Sequence, residues 1–263
     1  MIVSVIAMTA TILAMKDDAG VVAHAGGGNI SFHPLFYKFW TYWLHSDKIH
    51  TINKNMIFKI HQIKDDFLEK IYTDSMKDLN NFYEINWTHH LPTINIVDDR
   101  KTIDTLKGKP TENWLVGWSN GSQVYILNKD NLEKESSHKY NPDEYSALIK
   151  HELSHCFLNI LSGCNHLPFW LSEGIAIYTS GQNAFKNKPE KFTKFLEFYN
   201  HGGKEIYGEA GFFVQTLVEK FGKQKLFDLV KGLKNIKTKE EFEQIFAEQY
   251  GFNLTYKEIN TNN

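Results

Sequence analysis

The stretch His151-Glu152-Leu153-Ser154-His155 decides both the fold and the chemistry expected of this chain. It lies within residues 143–161, where apolar side chains recur at helical spacing. Four residues advance a helix by about 6 Å and about 400°, so the two imidazoles project from one face, one turn apart, and can share a metal ion. Glu152 stands on the adjoining edge, where its carboxylate can reach a water on the metal without being a ligand.

The five-residue pattern alone is weak evidence for a metal site, because it would arise by chance in roughly four of a hundred chains of this size and composition. A metal site also requires a third protein ligand. A metzincin would carry histidine six residues after His155, but Leu161 stands there. Glu173 is favoured, since it lies near the start of a second helix, predicted at residues 168–179, and can face the first one. Its alternative role is that of a partner for the helix dipole. Three histidines outside the motif remain as other candidates: His138, His166 and His201.

The motif and the segment Leu167-Pro168-x-Trp170-Leu171-x-Glu173-Gly174-x-Ala176 together resemble the gluzincin metallopeptidases, the clan of thermolysin-like and aminopeptidase N-like enzymes. The order of a long helix, a strand, a hairpin, the metal helix and the glutamate helix is also similar to the small clan members with a single catalytic domain. The resemblance covers residues 55–232 and implies a zincin-like fold.

The resemblance also implies roles for particular residues. One Zn²⁺ per chain would be held by His151, His155 and Glu173, with Glu152 as the catalytic base. Tyr207, which precedes Gly208-Glu209-Ala210-Gly211-Phe212-Phe213, resembles the tyrosine that stabilises the oxyanion in this clan, and core or surface packing is its other role.

The sequence departs from the clan at two positions, and these departures restrict what the resemblance implies. The exopeptidases carry a Gly-x-Met-Glu-Asn motif whose glutamate holds the substrate amine, whereas residues 117–122 contain no acid. Endopeptidase activity is therefore favoured. Thermolysin-like members place an aspartate four residues after the third ligand to orient a ligand histidine, but Ile177 stands there. Another group, for which a backbone carbonyl is one candidate, has to hold that imidazole.

Periodicity and turn residues predict an α+β fold: a small antiparallel or mixed sheet lobe with a long helix, then a mostly helical lobe, with the active site between them. A helix is predicted over residues 55–83, a strand over 93–97 ended by Asp98 and Asp99 as caps, and a tight turn at Asn120-Gly121. That turn joins predicted strands at 114–118 and 123–127. Further helices are predicted at residues 143–161, 168–179, 189–199, 208–221, 223–233 and 238–250.

Four regions follow along the chain. They are an apolar segment with a glycine-rich linker at residues 1–30, the α+β lobe at 31–137, the helical zinc-binding lobe at 138–252, and a tail at 253–263 that should fray at its end. The apolar run at residues 2–15 is shorter than the roughly 20 residues of a membrane span. Its length suits a signal peptide, but no Lys or Arg precedes it. A buried structural segment is the alternative, so a cytoplasmic location is slightly favoured, with secretion expected if residues 1–25 are a signal.

The composition restricts the partners. The 263 residues carry 29 Lys and Arg against 31 Asp and Glu, so the net charge of −2 gives no field that would recruit nucleic acid. Two cysteines, Cys156 and Cys164, cannot make a disulfide scaffold, and Cys156 is expected to be a small buried residue rather than a ligand. The aromatic stretch at residues 34–45 predicts hydrophobic packing. Nothing indicates the oligomeric state.

These features predict a zinc-dependent hydrolase of a peptide or protein substrate. Zinc lowers the pKa of water towards 7, and Glu152 would take the proton and pass it to the leaving amine. The strand at residues 123–127 is expected to offer its backbone to an extended substrate. Two alternatives stay open: an inactive zinc-bearing module that binds peptides, and a metal hydrolase of a non-peptide substrate.

Overall fold

The structure is a computed structural model that describes residues 23–25, 28–30, 60–61 and 65–262. The chain divides into two units, residues 1–57 and 58–263. In the first unit, β1 (Ala23–Ala25) and β2 (Gly28–Ile30) form an antiparallel hairpin. The apolar run at residues 2–15 and the aromatic stretch at 34–45 lie outside the described residues.

The second unit contains a mixed four-stranded sheet in the order β3-β4-β6-β5. Neighbouring strands are antiparallel except β4 and β6, which are parallel. The strands are β3 (Ile60–His61), β4 (Thr93–Val97), β5 (Gly117–Asn120) and β6 (Gln123–Leu127). The predicted strand at residues 93–97 is confirmed. The expectation that residues 123–127 form an open edge is wrong, because β4 pairs with one side of β6 and β5 with the other.

The hairpin between β5 and β6 turns one residue later than predicted. Asn120 pairs with Gln123, so Gly121 and Ser122 are the two central residues of the turn. Only Gly121 has a positive φ, +60°, which a glycine adopts without steric cost. Asn120 is therefore the last residue of β5, and the strand begins at Gly117 rather than at Trp114.

The fold is α+β and mostly helical, as predicted. Its helices are α1 (Asp66–Tyr83), α2 (Arg100–Lys107), α3 (Leu132–Glu135), α4 (Pro142–Ser162), α5 (Phe169–Ser180), α6 (Ile206–Phe221), α7 (Lys223–Gly232), α8 (Lys239–Tyr250) and α9 (Tyr256–Thr261). Asp99 caps α2 by accepting a hydrogen bond from Thr102 N at 2.8 Å, so its predicted capping role is confirmed. Within residues 65–262, no helix is both long enough and apolar enough to cross a bilayer.

One predicted helix, at residues 55–83, is wrong in part, and another, at residues 189–199, is wrong. The helix predicted over residues 55–83 begins only at Asp66, because Asp65 caps it by accepting from Phe67 N at 2.8 Å. Residues 60–61 instead form β3. Between residues 189 and 199 there is only a short 3₁₀ turn, Phe195–Glu197. The buried Glu209 carboxylate accepts hydrogen bonds from the backbone N–H groups of residues 193–195, so these groups are satisfied outside a helix.

The C-terminal residues pack onto the second unit. The segment predicted as a tail, residues 253–263, contains α9, and the Asn260 side chain bonds in both directions with the Phe192 backbone at 2.8 and 3.0 Å. These two hydrogen bonds hold the end of α9, where fraying was predicted. The predicted boundary between residues 137 and 138 falls inside the second unit.

The backbones of helices α5 and α6 come into contact at Gly174. A Cβ atom on Gly174 would lie 2.7 Å from Ala210 O and 2.9 Å from Val214 Cγ2. Such distances are sterically forbidden, so glycine is required for this close approach. The contact sets the position of Glu173, which precedes Gly174 on α5, against α6, which carries Tyr207.

Gly174→Ala is expected to lower the stability by about 1 to 3 kcal/mol, the usual cost of overpacking a core. The reason is that the new methyl group meets a backbone carbonyl that cannot rotate away. Gly208→Ala is the matched control on α6, because a Cβ there would meet nothing within 4 Å. Thermal unfolding of both variants measures the difference, and equal stability of Gly174→Ala and the parent would contradict the close packing.

Candidate metal centre

The metal helix predicted from the sequence is α4, and local residues define its ends. Asn141 Oδ1 accepts hydrogen bonds from Asp143 N at 2.9 Å and Glu144 N at 3.1 Å, and Pro142 follows as the first helical residue. Gly163 ends the helix with φ +63°. The helix is continuous between these two ends, so His151 and His155, which are four residues apart, lie on the same face.

The structure brings His151, His155 and Glu173 together. The two Nε2 atoms lie 3.1 Å apart, His151 Nε2 lies 3.3 Å from Glu173 Oε2, and His155 Nε2 lies 3.5 Å from Glu173 Oε1. Each residue thus offers one ligand atom, and all of these atoms lie within 4.8 Å of one another. His151 and Glu173 come from different helices, α4 and α5, as the sequence predicted.

This donor set fits a zinc ion. Bonds of about 2.0 to 2.2 Å in a tetrahedral site separate the ligand atoms by about 3.3 to 3.6 Å. The shortest contacts between the three residues, 3.1 to 3.5 Å, are close to this separation. Glu173 Oε2 is buried and accepts no hydrogen bond within residues 65–262. A buried carboxylate oxygen without a partner is costly unless a cation occupies the space in front of it.

The charge states of Glu173 and His155 also suit a cation. Burial alone would raise the pKa of Glu173, but the imidazoles of His155 and His151 outweigh it and hold that pKa at about 2. Burial lowers the pKa of His155 to about 4. At neutral pH the carboxylate is therefore ionised and the His155 imidazole is neutral, which are the forms that bind metals.

Glu152 lies beside the cluster but does not belong to it. Its side chain is buried, and burial raises its pKa to about 7, with the His151 imidazole opposing the shift. A Cβ on Gly117 would lie 3.1 Å from Glu152 Oε1, so the backbone of β5 comes directly against this carboxylate. A group with a pKa near 7 at this place can both take and release a proton.

Tyr207, the predicted oxyanion residue, lies near the cluster on α6. Its ring centre is 6.1 Å from that of His151 and 6.0 Å from that of Trp114. Burial, and next the charge of Glu173, raises the pKa of Tyr207 well above its usual value. The hydroxyl therefore keeps its proton at neutral pH and can act as a hydrogen-bond donor.

The other histidines considered as third ligands are not in the cluster. His138 Nε2 lies 2.9 Å from Trp114 O, the His201 ring packs on Phe198 at 5.3 Å, and His166 is exposed. Cys156 is buried with its Sγ near Glu152 O, so its expected packing role is confirmed, and Cys164 is exposed.

A residue not identified from the sequence stands beside His155. Ser172 Oγ lies 3.4 Å from His155 Nδ1, whereas His151 Nδ1 is buried and has no hydrogen-bond partner within residues 65–262. Ser172 precedes Glu173 on α5, so one helical turn supplies both a candidate ligand and a contact to His155. Only this adjacency in the sequence could have indicated it.

A chain of hydroxyl groups, those of the buried Tyr83 and Ser154 and the half-buried Thr179, connects α4 to its neighbours. Tyr83 OH lies 2.7 Å from Ser154 Oγ, Ser154 Oγ lies 2.8 Å from Thr179 Oγ1, and Thr179 Oγ1 donates to Ile175 O at 2.8 Å. Ser154 has no exposed surface and stands between the two histidines. The hydroxyl chain therefore fixes α1, α4 and α5 relative to one another next to the cluster.

A cleft of about 370 Å³ opens beside His151 and Glu152. Its walls come from the segment before β5, the start of α4, the turn after α5 and the start of α6. Lys186, in the third of these walls, donates to Tyr207 O at 2.8 Å. Burial lowers the pKa of Lys186 to about 8, so most of its ammonium groups remain charged at pH 7.

Comparisons with known proteins do not assign the chain to a family. No model of a known protein family matches it, and no curated protein or solved structure matches it significantly. Its function is therefore inferred from the chemistry of His151, His155 and Glu173 and of the cleft beside them.

Proposed function

We propose that this protein is a zinc-dependent metallopeptidase of the gluzincin type that acts as an endopeptidase. One observation carries the proposal: two imidazoles and a carboxylate converge, while a second carboxylate, that of Glu152, stands next to them without joining the cluster. A structural zinc site is usually closed by four protein ligands, often with cysteines. Three ligands and a neighbouring base instead suit a site at which water reacts.

The residues divide the reaction between them. His151, His155 and Glu173 would hold the zinc ion, which when bound acidifies water and polarises a carbonyl. Glu152 takes a proton from the attacking water and delivers it to the leaving amine, as its pKa of about 7 permits. Tyr207 donates a hydrogen bond from its protonated hydroxyl to the carbonyl oxygen as negative charge develops there.

The edge strand β5 provides a place for an extended substrate. It lies at one edge of the described sheet, and its first residue, Gly117, is against Glu152. A peptide that adds to β5 as a further strand would therefore pass the general base. Residues 117–122 contain no carboxylate that could hold a free amine, which favours cleavage within a chain.

Zinc analysis together with hydrolysis of a quenched random-peptide library tests the proposal. We expect one zinc per chain, cleavage of the library, loss of cleavage with a chelator and its return with added zinc. Mass spectrometry of the products would identify internal cleavage. One zinc per chain without turnover would favour a peptide-binding module, and hydrolysis of esters alone would favour a non-peptide substrate.

A further inference from the structure

Lys186 carries a positive charge in the wall of the cleft that the proposed reaction does not use. An ammonium group has three donors, and among residues 65–262 the Lys186 group makes one hydrogen bond, to Tyr207 O, and no ion pair. Its Nζ also lies 5.5 Å from the centre of the Tyr207 ring. Two donors of a partly buried cation are thus left for a ligand.

The nearby carboxylates do not neutralise this charge. Glu173 contacts the two imidazoles instead. Glu144, the other acid whose charge acts on Lys186, is exposed and lies beyond ion-pair distance. Lys139 of the same cleft differs, since its Nζ pairs with Glu133 Oε2 at 3.4 Å. The cleft therefore contains one paired lysine, Lys139, and two that make no ion pair among residues 65–262, the partly buried Lys186 and the exposed Lys204.

Building on the proposed peptidase function, we propose that Lys186 is a specificity-determining residue that binds a carboxylate group of the substrate. A carboxylate supplies two acceptor oxygens for the two remaining donors and the charge that the lysine lacks. Neutral peptides would leave the ammonium group partly desolvated and unpaired, so they should bind less well.

The geometry limits where this carboxylate stands in the peptide. The distances from Nζ to the Tyr207 ring and from that ring to the His151 ring place Nζ within about 12 Å of His151. An extended peptide spans about 3.3 to 3.6 Å per residue. The carboxylate recognised by Lys186 is therefore within about three residues of the bond that is cleaved. It is either the C-terminal carboxylate or the side chain of Asp or Glu.

Binding to a protein that cannot turn over separates recognition from catalysis. The zinc-loaded Glu152→Gln protein is dialysed against three N-acetylated hexapeptide libraries, and bound peptide is quantified by mass spectrometry. The first library has a C-terminal amide and no acidic residues, the second a free C-terminal carboxylate, and the third a C-terminal amide with one Glu at varied positions. We expect the second or the third to bind about tenfold more tightly than the first, the scale of one hydrogen bond between charged groups.

Variants at two lysines then show which lysine causes the preference for a carboxylate. In the same background, Lys186→Met should reduce the ratio of affinities to about one, whereas Lys186→Arg, which keeps the charge, should retain most of it. Lys139→Met is the matched control and should leave the ratio unchanged, since that charge is already paired. Zinc content and thermal unfolding of each variant verify that it is folded.

Each outcome bears on the proposal. A preference for the second library identifies the C-terminal carboxylate as the ligand, and a preference for the third identifies an acidic side chain. Equal binding of all three libraries, or an unchanged ratio in Lys186→Met, would overturn the role of Lys186 and leave the peptidase proposal intact. If no library bound at all, both proposals would be overturned.

Discussion

Glu173→Gln is expected to weaken zinc binding by about 10² to 10³-fold. Structural zinc sites with four ligands bind with about 10 to 16 kcal/mol, so one ligand accounts for about 2.5 to 4 kcal/mol. Glutamine keeps the size of the side chain but removes the negative charge that faces the two imidazoles. Competition with a chromophoric chelator measures the affinity, and metal analysis after dialysis measures the zinc that remains.

Glu209→Gln is the control for Glu173→Gln, because both side chains are carboxylates held among buried groups. Glu209 accepts hydrogen bonds from residues 193–195 and is not in the cluster. Its replacement should lower stability by about 1 to 3 kcal/mol and leave zinc affinity unchanged. Equal zinc affinity in Glu173→Gln and the parent would remove Glu173 from the ligand set.

Glu152→Gln is expected to retain zinc and to lose about 10² to 10⁴ of the hydrolytic rate, the usual contribution of a general base. The amide has almost the same shape, so the contact with Gly117 and the position of β5 remain. It cannot accept a proton from water. The measurements are zinc content and the initial rate of peptide cleavage under the same conditions.

Glu144→Gln is the matched control for that experiment. Glu144 lines the same cleft two helical turns before Glu152, but it is exposed. Its replacement should change the rate by no more than about threefold, since exposed charges are screened by solvent. A Glu152→Gln enzyme as active as the parent would show that another group takes the proton.

The part of the site that local periodicity determines could be predicted. His151 and His155 share a face because any helix with this register puts them there, and Asn141 and Gly163 define its ends. The place of Glu173 depends on how α5 packs on α4, yet its position in the helix that follows the metal motif was sufficient to favour it. The contact of Ser172 with His155 and the unpaired charge of Lys186 depend on packing between distant segments, which no local pattern reveals.

The fold shows the same division. The strand at residues 93–97 and the helix at 143–161 follow from spacing alone. The order of the strands does not, since it is set by which strand pairs with each side of β6. The helix predicted at residues 189–199 is wrong for a related reason. Its N–H groups bind the Glu209 carboxylate, which is distant in sequence, and such an acceptor outweighs local helix propensity.

The hydroxyl chain through Tyr83, Ser154 and Thr179 has a consequence for how the proposed zinc ion would bind. Because the chain joins α4 and α5 without involving His151, His155 or Glu173, we expect the proposed site to be preorganised before an ion binds. The entropy of arranging those helices is lost during folding and not during metal capture. Binding and release of the ion should therefore cause little change in the backbone.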